Sequence, residues 1–311
     1  MSAPLRVAVL GRTEMLLAAA KEVSTNGHTI ALVATSAESD NYLAGPSDFE
    51  QLAQDHNAAF IRGTKLDSEP ATSLLREIKC DVAISMNWPG LLPASVRENF
   101  RFGIFNAHPG DLPRYKGNAC PNWAILNDEP HIGLCIHQMV DELDAGPVAA
   151  RSKLPLSDSV DVEMVYGWLR EEVPFLFGAL INQLSDGTLS LTPQPTDVNL
   201  SLRCFPRRPE DSRIDWNMPG ASVMRLIRAS TRPFSGATCF LDNTRIQIWR
   251  AQPYTWPTPY LAMPGQVLGR IEGDPIIETG ENPIRILEAT LFENQESAIP
   301  LILSSLRNRL T

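Results

Sequence analysis

The residues best suited to chemistry lie in a short stretch that runs from Phe105 to Gly117. His108 can take or give a proton near neutral pH. Asn106 stands two positions earlier, and side chains two positions apart on an extended strand point to the same side. The Asn106 amide can donate to an oxygen that gains negative charge. The pair therefore suits a reaction in which a carbonyl oxygen becomes an oxyanion.

A carboxylate that could complete this pair lies downstream, in the acidic turn from Asp141 to Pro147. Asp144 can hold an imidazolium, or position a water that shuttles protons. We interpret Asn106, His108 and Asp144 as one catalytic site, formed where two strand ends meet. No nucleophilic serine or cysteine is expected beside the group, which favours direct acyl transfer to an amine over a covalent acyl-enzyme. The alternative is structural: a hydrogen-bonded histidine at a strand end and an aspartate in a turn.

The elements that must position these residues alternate between strands and helices. Arg6 to Leu10 predicts a strand, Thr13 to Val23 a helix, and Thr29 to Ala34 the next strand, after the turn signal at Asn26-Gly27. Such a unit predicts a parallel sheet and an α/β fold. Dinucleotide binding would require three spaced glycines after the first strand, and only Gly11 is present, so that function is rejected.

The chain divides into three segments on its patterning. Residues 1–190 alternate strands and helices and form the predicted catalytic domain. Residues 191–208 contain prolines and little periodicity, which predicts a linker. Residues 209–311 show a helix at 221–230 and then short spaced apolar runs, which predicts a small β-rich domain.

Composition restricts the class of protein. The 311 residues are 43% hydrophobic and 20% charged, with a net charge of -9, as expected of a soluble globular protein. No apolar run reaches membrane-spanning length, and the N-terminus enters a strand at once, so a cytoplasmic protein without a signal peptide is expected. The five cysteines show no metal-binding spacing, which predicts buried free thiols and no metal site.

The stretch at 105–125, FNAHPGDLPRYKGNACPNWAI, resembles the folate-dependent formyltransferases. The family loop is approximately Asn-x-His-x-x-x-Leu-Pro-x-Tyr/His-x-Gly, and six positions of this chain match it: Asn106, His108, Leu112, Pro113, Tyr115 and Gly117. A second family motif ends approximately Gly-x-Asp-x-Gly. Asp144 and Gly146 match its last two fixed positions, whereas Glu142 departs from its first glycine.

The resemblance continues into the C-terminal part of the chain. The runs at 207–216, 226–229, 233–237 and 263–268 are similar to the second domain of the two-domain members. These members include nucleotide-sugar N-formyltransferases and methionyl-tRNA formyltransferase. The resemblance implies a Rossmann-like, mostly parallel catalytic domain and a small open-barrel, OB-like C-terminal domain.

The resemblance also implies a reaction and its site. The formyl group of N10-formyltetrahydrofolate passes to a primary amine, Asn106 and protonated His108 stabilise the oxyanion, and Asp144 helps to remove the amine proton. Folate-binding residues are expected on two loops: Met86, Trp88, Gly90, Leu91, Leu92, Gln138, Val140, Asp141 and Leu143. Substrate-binding residues are expected in the central loop and at the start of the second domain: Arg114, Tyr115, Lys116, Gly117, Asn118, Arg207 and Arg208.

Three acceptors compete: a nucleotide-linked amino sugar, methionyl-tRNA, and a small amine such as N-hydroxyornithine. Residues 36–50 contain no Lys or Arg and carry Glu38, Asp40, Asp48 and Glu50. Such a loop repels a phosphate backbone, whereas the tRNA enzymes resemble one another in a basic loop here. The amino sugar is therefore the first choice and tRNA the second.

Other classes of function remain open. A hydrolase that releases formate is one, although related enzymes of that kind usually carry an additional domain that this length does not fit. A binding module without catalysis is another, and the intact triad argues against it. The sequence leaves open whether the chain forms a homodimer.

Overall fold

The computed structural model describes residues 3–37 and 42–311, which fall into two compact units. The first unit contains the chain up to Cys120, His131–Pro155 and Tyr166–Cys204, and the second contains Pro121–Pro130, Leu156–Val165 and Phe205–Thr311. The predicted domain boundaries at 190 and 208 stay predictions. Glu38 and Asp40 of the predicted acidic loop lie outside the described residues.

The first unit is built on a seven-stranded sheet. Its strands are β1 Arg6–Gly11, β2 Thr29–Thr35, β3 Ala59–Arg62, β4 Val82–Met86, β5 Ile104–His108, β7 His131–Gln138 and β8 Val148–Pro155. The short strand β6 Lys116–Gly117 belongs to a separate two-stranded sheet. The order across the sheet is β3-β2-β1-β4-β5-β7-β8. The first five strands in this order are parallel, and β7 runs antiparallel to both β5 and β8.

Helices connect the parallel strands, as the alternating pattern predicts. They are α1 Glu14–Thr25, α2 Pro46–Asp55, α3 Glu69–Ile78 and α4 Ala94–Arg97, whereas α5 Cys120–Leu126 precedes the antiparallel β7 and α6 Val162–Asp186 follows β8. Thr13 begins α1, because its hydroxyl accepts the Leu16 backbone N–H at 3.4 Å. The mostly parallel, Rossmann-like fold is thereby confirmed. No helix in the described ranges has the length and apolarity needed to cross a membrane.

The central strands are apolar on both faces because helices or loops cover both sides of the sheet. All five residues of β4 are buried, and so are all five of β5. Continuous burial of this kind is typical of the inner strands of a parallel sheet. The polar residues Asn106 and His108 at the end of β5 are therefore exceptional in a strand that is otherwise part of the core.

The second unit has an antiparallel five-stranded sheet of order β10-β11-β14-β13-β12. Its elements follow β9 Arg203–Cys204 and are α7 Gly220–Ser230, β10 Ala237–Leu241, β11 Thr244–Pro253, β12 Val267–Ile271, β13 Asp274–Ile277, β14 Ile284–Leu291 and α8 Ile299–Ile302. Apolar residues of α7 and of these strands form one core. The predicted β-rich C-terminal part is confirmed as an antiparallel sheet.

Part of the predicted linker at 191–208 is ordered against the first unit. Thr192 forms a β-bridge with Val148, and β9 pairs in parallel with β6. The segment lacks side-chain periodicity because backbone hydrogen bonds hold it, and such bonds leave no pattern in the sequence.

Gly146 provides a test of how tightly the turn after β7 is packed. A Cβ atom there would lie 1.7 Å from the Gln138 carbonyl oxygen. We expect Gly146→Ala to lower the free energy of unfolding by about 1–3 kcal/mol, because the backbone must shift. Urea denaturation measures this loss.

The matched control is Gly167→Ala in α6, where a Cβ atom would meet no heavy atom within 4 Å. Alanine in a helix is favoured over glycine by about 1 kcal/mol, so this variant should be as stable as the native chain or more so. Equal stability of the two variants would contradict the prediction.

Candidate active site

Asn106 and His108 lie on one side of β5, at the carboxyl end of the parallel strands. Their side chains are buried, with 9% and 4% of the residue exposed. The antiparallel neighbour β7 places His137 directly opposite Asn106 and Cys135 opposite His108. The spacing of two residues on a strand thus positions both side chains as predicted from the sequence.

Asp144 lies in the turn between β7 and β8, with its backbone in the left-handed region at a φ of 49°. The turn is closed by a backbone hydrogen bond from Gln138 N–H to the Pro147 carbonyl. Gln194 supports it from outside, because its amide Nε2 donates to the carbonyl oxygens of Asp144 and Gly146 at 2.8 and 2.7 Å. The turn therefore holds the carboxylate in a fixed orientation.

The Asp144 carboxylate joins three parts of the first unit. One oxygen, Oδ2, accepts the Gly117 backbone N–H at 2.8 Å and lies 3.5 Å from His108 Nδ1. The other oxygen, Oδ1, lies 3.4 Å from His137 Nε2. The structure thus brings Asn106, His108 and Asp144 together, and adds His137 to them.

The His108 ring is held from both sides. Its Nε2 lies 2.6 Å from the Tyr115 carbonyl oxygen, which can only accept, so this nitrogen carries a proton. Burial lowers the pKa of His108, and the negative charge of Asp144 opposes that shift. Protonation at Nδ1 completes an imidazolium that donates to Tyr115 and faces Asp144, so the His108–Asp144 pair can gain or lose one proton at Nδ1.

Asp144 remains ionised although it is buried. Burial alone would raise its pKa, but the charge of His108 and hydrogen bonds from His137 and the Gly117 N–H lower the pKa to about 2. The site therefore contains a carboxylate that is negative at neutral pH, beside two imidazoles and an amide. Such a group can stabilise positive charge or accept a proton from a bound amine.

His137 and Gln194 are site residues that the sequence reasoning did not identify. His137 is buried, and its Nε2 lies 3.4 Å from the Asn106 amide nitrogen. Its position opposite Asn106 follows from the β5–β7 register, which pattern analysis alone does not supply. Gln194 comes from the segment predicted as a linker, and no sequence signal connects it to the turn.

A cysteine that the sequence analysis did not place at the site, Cys120, lies beside the triad. Cys120 Sγ lies 3.8 Å from His108 Nε2 and donates to the Tyr115 carbonyl at 2.9 Å. A hydrogen bond with Cys204 and burial raise the pKa of the Cys120 thiol far above its ordinary value. The sulfur is therefore a protonated thiol rather than a nucleophile. All five cysteines are buried and free, as predicted.

The predicted folate-binding residues occupy the loop after β4 and the turn after β7. Trp88 and Leu92 are buried in the core cluster beside β4. Leu91 and Leu143 point outward instead, with 62% and 36% of the residue exposed. The two loops therefore combine a packed apolar base with exposed leucines at their edges. The role of all nine residues in folate binding stays a prediction.

Arg97 of α4 connects these two loops and was not identified from the sequence. Its guanidinium donates to the Leu92 carbonyl at 3.0 Å and to the Met139 carbonyl at 3.5 Å, and it forms an ion pair with Asp141. Asp141 is thus engaged by Arg97, while its side chain remains mostly exposed.

The central loop presents the predicted substrate-binding residues in two ways. Tyr115 and Gly117 contact the triad through their backbone, as described above. Arg114 and Asn118 are exposed, and Lys116 is half-buried. Their roles in substrate binding stay predictions.

Asp111 attaches the start of this loop to the sheet. Its carboxylate forms ion pairs with His131 at 2.9 Å, Arg151 at 3.2 Å and Lys153 at 3.0 Å. These three partners lie on β7 and β8. The network anchors the loop to these two strands.

Arg207 and Arg208 belong to the second unit. The Arg207 guanidinium donates to the Asp211 carbonyl at 3.0 Å and lies 3.5 Å from the hydroxyls of Ser212 and Ser230. Burial lowers the pKa of Arg207. Arg208 is exposed. The predicted contact of either with a substrate stays a prediction.

The fold and the buried amide, imidazole and carboxylate together define a class of group-transfer protein. Residues 5–177 match the family model of formyl transferases, and residues 207–306 match that of the formyl transferase C-terminal domain. The chain belongs to the formyl transferase family, which confirms the resemblance drawn from residues 105–125.

Solved structures share the fold at low sequence identity. An N-formyltransferase from Helicobacter canadensis in complex with folinic acid and dTDP-3-aminofucose has a TM-score of 0.64 at 15% identity, covering 91% of this chain and 98% of that one. HypX from Aquifex aeolicus in complex with tetrahydrofolic acid has a TM-score of 0.63 at 19% identity, covering 95% of this chain. This chain spans only 45% of the length of HypX.

A 4-N formyltransferase from Francisella tularensis is also similar, with a TM-score of 0.59 at 16% identity, covering 78% of this chain and 94% of that one. At such identities the likeness shows the fold alone. Within the described residues, no group of three or more His, Cys, Asp or Glu side chains is arranged to hold a metal ion.

The low pKa of Asp144 makes a prediction about stability and pH. A carboxyl with a pKa of about 2 when folded and about 3.9 when unfolded stabilises the folded state above pH 4, and this stabilisation is lost as the pH falls toward 2. Between pH 5 and pH 3 the loss amounts to about 1 kcal/mol.

Asp144→Asn removes the titrating group, so its free energy of unfolding should fall less over the same pH interval. Urea denaturation of both proteins at pH 5 and pH 3 measures this loss. Subtracting the loss in the variant from the loss in the native protein removes the contribution of the other carboxyl groups. An identical pH dependence would show that Asp144 is not held as an ionised group.

Proposed function

We propose that the chain transfers the formyl group of N10-formyltetrahydrofolate to the primary amine of a nucleotide-linked amino sugar. Formyl transfer is supported above all by the buried group at the end of β5. There the ionised Asp144 carboxylate contacts the imidazoles of His108 and His137, and the Asn106 amide points to the same side. Membership of the formyl transferase family supports the reaction.

Each side chain of the triad has a distinct task in this reaction. The bound folate supplies the formyl group, which the unprotonated amine attacks. Asn106 donates an N–H to the carbonyl oxygen as that oxygen becomes negative. His108 stabilises the same charge when its Nδ1 is protonated, the form that the Asp144 charge favours. Asp144 accepts the proton that the amine loses, directly or through a water. The folate nitrogen leaves with a proton, so that the products are a formamide and tetrahydrofolate.

The two loops beside the triad have the chemistry that a folate requires. The ring system of a folate is flat and largely apolar on its faces, with polar edges that can bond to backbone groups. Trp88 and Leu92 provide a packed apolar base, and Leu91 and Leu143 expose side chains that a bound ring would cover. The predicted residues therefore fit this co-substrate.

Charge supports a nucleotide-linked sugar over tRNA as the acceptor. The segment 36–50 contains no basic residue, and its acidic members would repel a nucleic-acid backbone. Arg114 and Lys116 lie close to the triad in sequence and on the same loop, where they can meet a single pyrophosphate. The similar protein from Helicobacter canadensis was solved with dTDP-3-aminofucose.

The function is tested by supplying purified protein with N10-formyltetrahydrofolate and a panel of acceptors. The panel contains nucleotide-linked 3-amino and 4-amino sugars, charged initiator tRNA and N-hydroxyornithine. We expect formylation of an amino sugar and a loss of at least about a hundredfold in kcat for His108→Ala. Efficient formylation of tRNA would show that tRNA is the acceptor instead of an amino sugar. Equal turnover by the His108 variant would disprove the catalytic role of His108.

Cys120 allows a separate test of direct transfer. Because its thiol is protonated and bonded to the Tyr115 carbonyl, Cys120→Ala should keep kcat within about threefold of the native enzyme. Rapid-quench mass spectrometry should find no protein that is heavier by a formyl group. A formylated protein that is absent from the variant would instead establish a covalent intermediate.

A further inference from the structure

Arg97 is a buried cation that the reaction as described above does not use. It lies at the end of the short helix α4, and only 15% of its side chain is exposed. A guanidinium withdrawn from water requires hydrogen bonds or an opposite charge in compensation. Arg97 has these partners on the two loops that carry the predicted folate-binding residues, which connects it to the site rather than to the core alone.

Each nitrogen of the Arg97 guanidinium contacts a different partner. Nε donates to the Leu92 carbonyl at 3.0 Å, on the loop after β4. Nη1 donates to the Met139 carbonyl at 3.5 Å and Nη2 forms the ion pair with Asp141, so both contact the turn after β7. Because a planar guanidinium holds its donors in a fixed fork, the three contacts together set the distance between this loop and this turn.

The contacts of Arg97 leave both backbone carbonyls able to bind a ligand. A carbonyl oxygen has two lone pairs, and Arg97 uses one at Leu92 and one at Met139. The ring system of a folate has N–H groups on its edge, which can donate to the second lone pair. Arg97 also lines a cavity of about 490 Å³ together with Gln138 and Val140, two of the predicted folate-binding residues. Space for a ligand therefore adjoins the guanidinium.

We propose that Arg97 is a positioning residue for the folate, a clamp that holds the loop after β4 and the turn after β7 at the spacing that binding of the ring system requires. The two segments are then ordered before the ligand arrives, so binding loses less conformational entropy. The inference rests on the proposed function, since it concerns how the folate of that reaction is bound.

The central variant is Arg97→Met, which keeps an unbranched stem and removes all three donors. We expect the Kd for tetrahydrofolate to rise on the order of 10- to 100-fold, because loops that are free to move are immobilised by the ligand. The KM for N10-formyltetrahydrofolate should rise as well, while kcat at saturation stays within about threefold. The triad keeps its geometry because Gln194 and the Gly117 N–H hold Asp144 independently of Arg97.

Two further variants separate the fork from its charge. Arg97→Lys keeps the charge on a single nitrogen, which cannot reach three partners, so the Kd should still rise by about fivefold or more. Asp141→Asn should raise the Kd by no more than about fivefold, because an ion pair with an exposed partner contributes little. A lysine variant that binds as tightly as the native protein would show that charge alone suffices, and would overturn the clamp.

Arg101 is the matched control, because it lines the same cavity without joining the two loops. It is exposed, and its guanidinium lies over the Phe102 ring, 4.6 Å from the ring centroid. Arg101→Met removes the same charge from the same cavity and should leave the Kd within about twofold. A similar rise of the Kd in both variants, or no rise in Arg97→Met, would overturn the proposal.

A second ligand separates the clamp from direct binding of the folate carboxylates. The dimethyl ester of tetrahydrofolate keeps the ring system and the tail but carries no carboxylate. Arg97→Met should weaken the ester and tetrahydrofolate by the same factor, because the clamp acts on the loops that receive the ring. An effect confined to tetrahydrofolate would show that Arg97 pairs with a carboxylate of the ligand, and would overturn the positioning role.

Hydrogen exchange of the ligand-free protein separates this proposal from the proposed function. The Gln138 backbone N–H, which donates to the Pro147 carbonyl and closes the turn, should exchange about threefold or more faster in Arg97→Met and at the native rate in Arg101→Met. If no acceptor is formylated but this exchange and the Kd for tetrahydrofolate respond as expected, the transferase assignment fails and the clamp stands. Unchanged exchange in Arg97→Met would overturn the clamp even in an active transferase.

Discussion

The structure of the site depends on one constraint: a carboxylate removed from water must be satisfied by partners of the protein. Asp144 has 10% of its side chain exposed, and its pKa of about 2 shows that the partners outweigh the cost of burial. Those partners are a backbone N–H of Gly117 and the rings of His108 and His137, from three separate segments. The positions of β5, β7 and the central loop are thereby tied to a single charged group.

The antiparallel strand β7 is what makes this possible in a mostly parallel sheet. A strand parallel to β5 could follow it in the sheet only after a long crossover connection. Instead β7 faces β5 in antiparallel register, which sets His137 against Asn106, and its closing turn carries Asp144 back to the pair. Gly146 is required in that turn because the Gln138 carbonyl occupies the space of a side chain.

Sequence patterns predicted the elements well because hydrophobic periodicity reports burial directly, as in β1, α1 and β2. They also brought Asn106, His108 and Asp144 together, because chemically distinctive residue types stood at strand ends and the family motifs paired them. His137 was missed since a buried histidine in an alternating strand resembles a core residue until the register is known. The proximity of Cys120 to His108 was not predicted because the loop reverses between them, and only backbone coordinates show that reversal.

The central loop serves the triad through its backbone rather than its side chains. The Tyr115 carbonyl accepts from His108 and the Gly117 N–H donates to Asp144, and both residues have left-handed φ values, of 57° and 98°. A Cβ atom at Gly117 would lie 2.3 Å from the Cys204 carbonyl oxygen, so glycine is needed for the loop to pass β9. Under the proposed function, the exposed side chains of this loop are then left to recognise the acceptor. Neither backbone contact uses the Arg114 side chain, so under the proposed function an exchange at this position bears on the acceptor rather than on the triad.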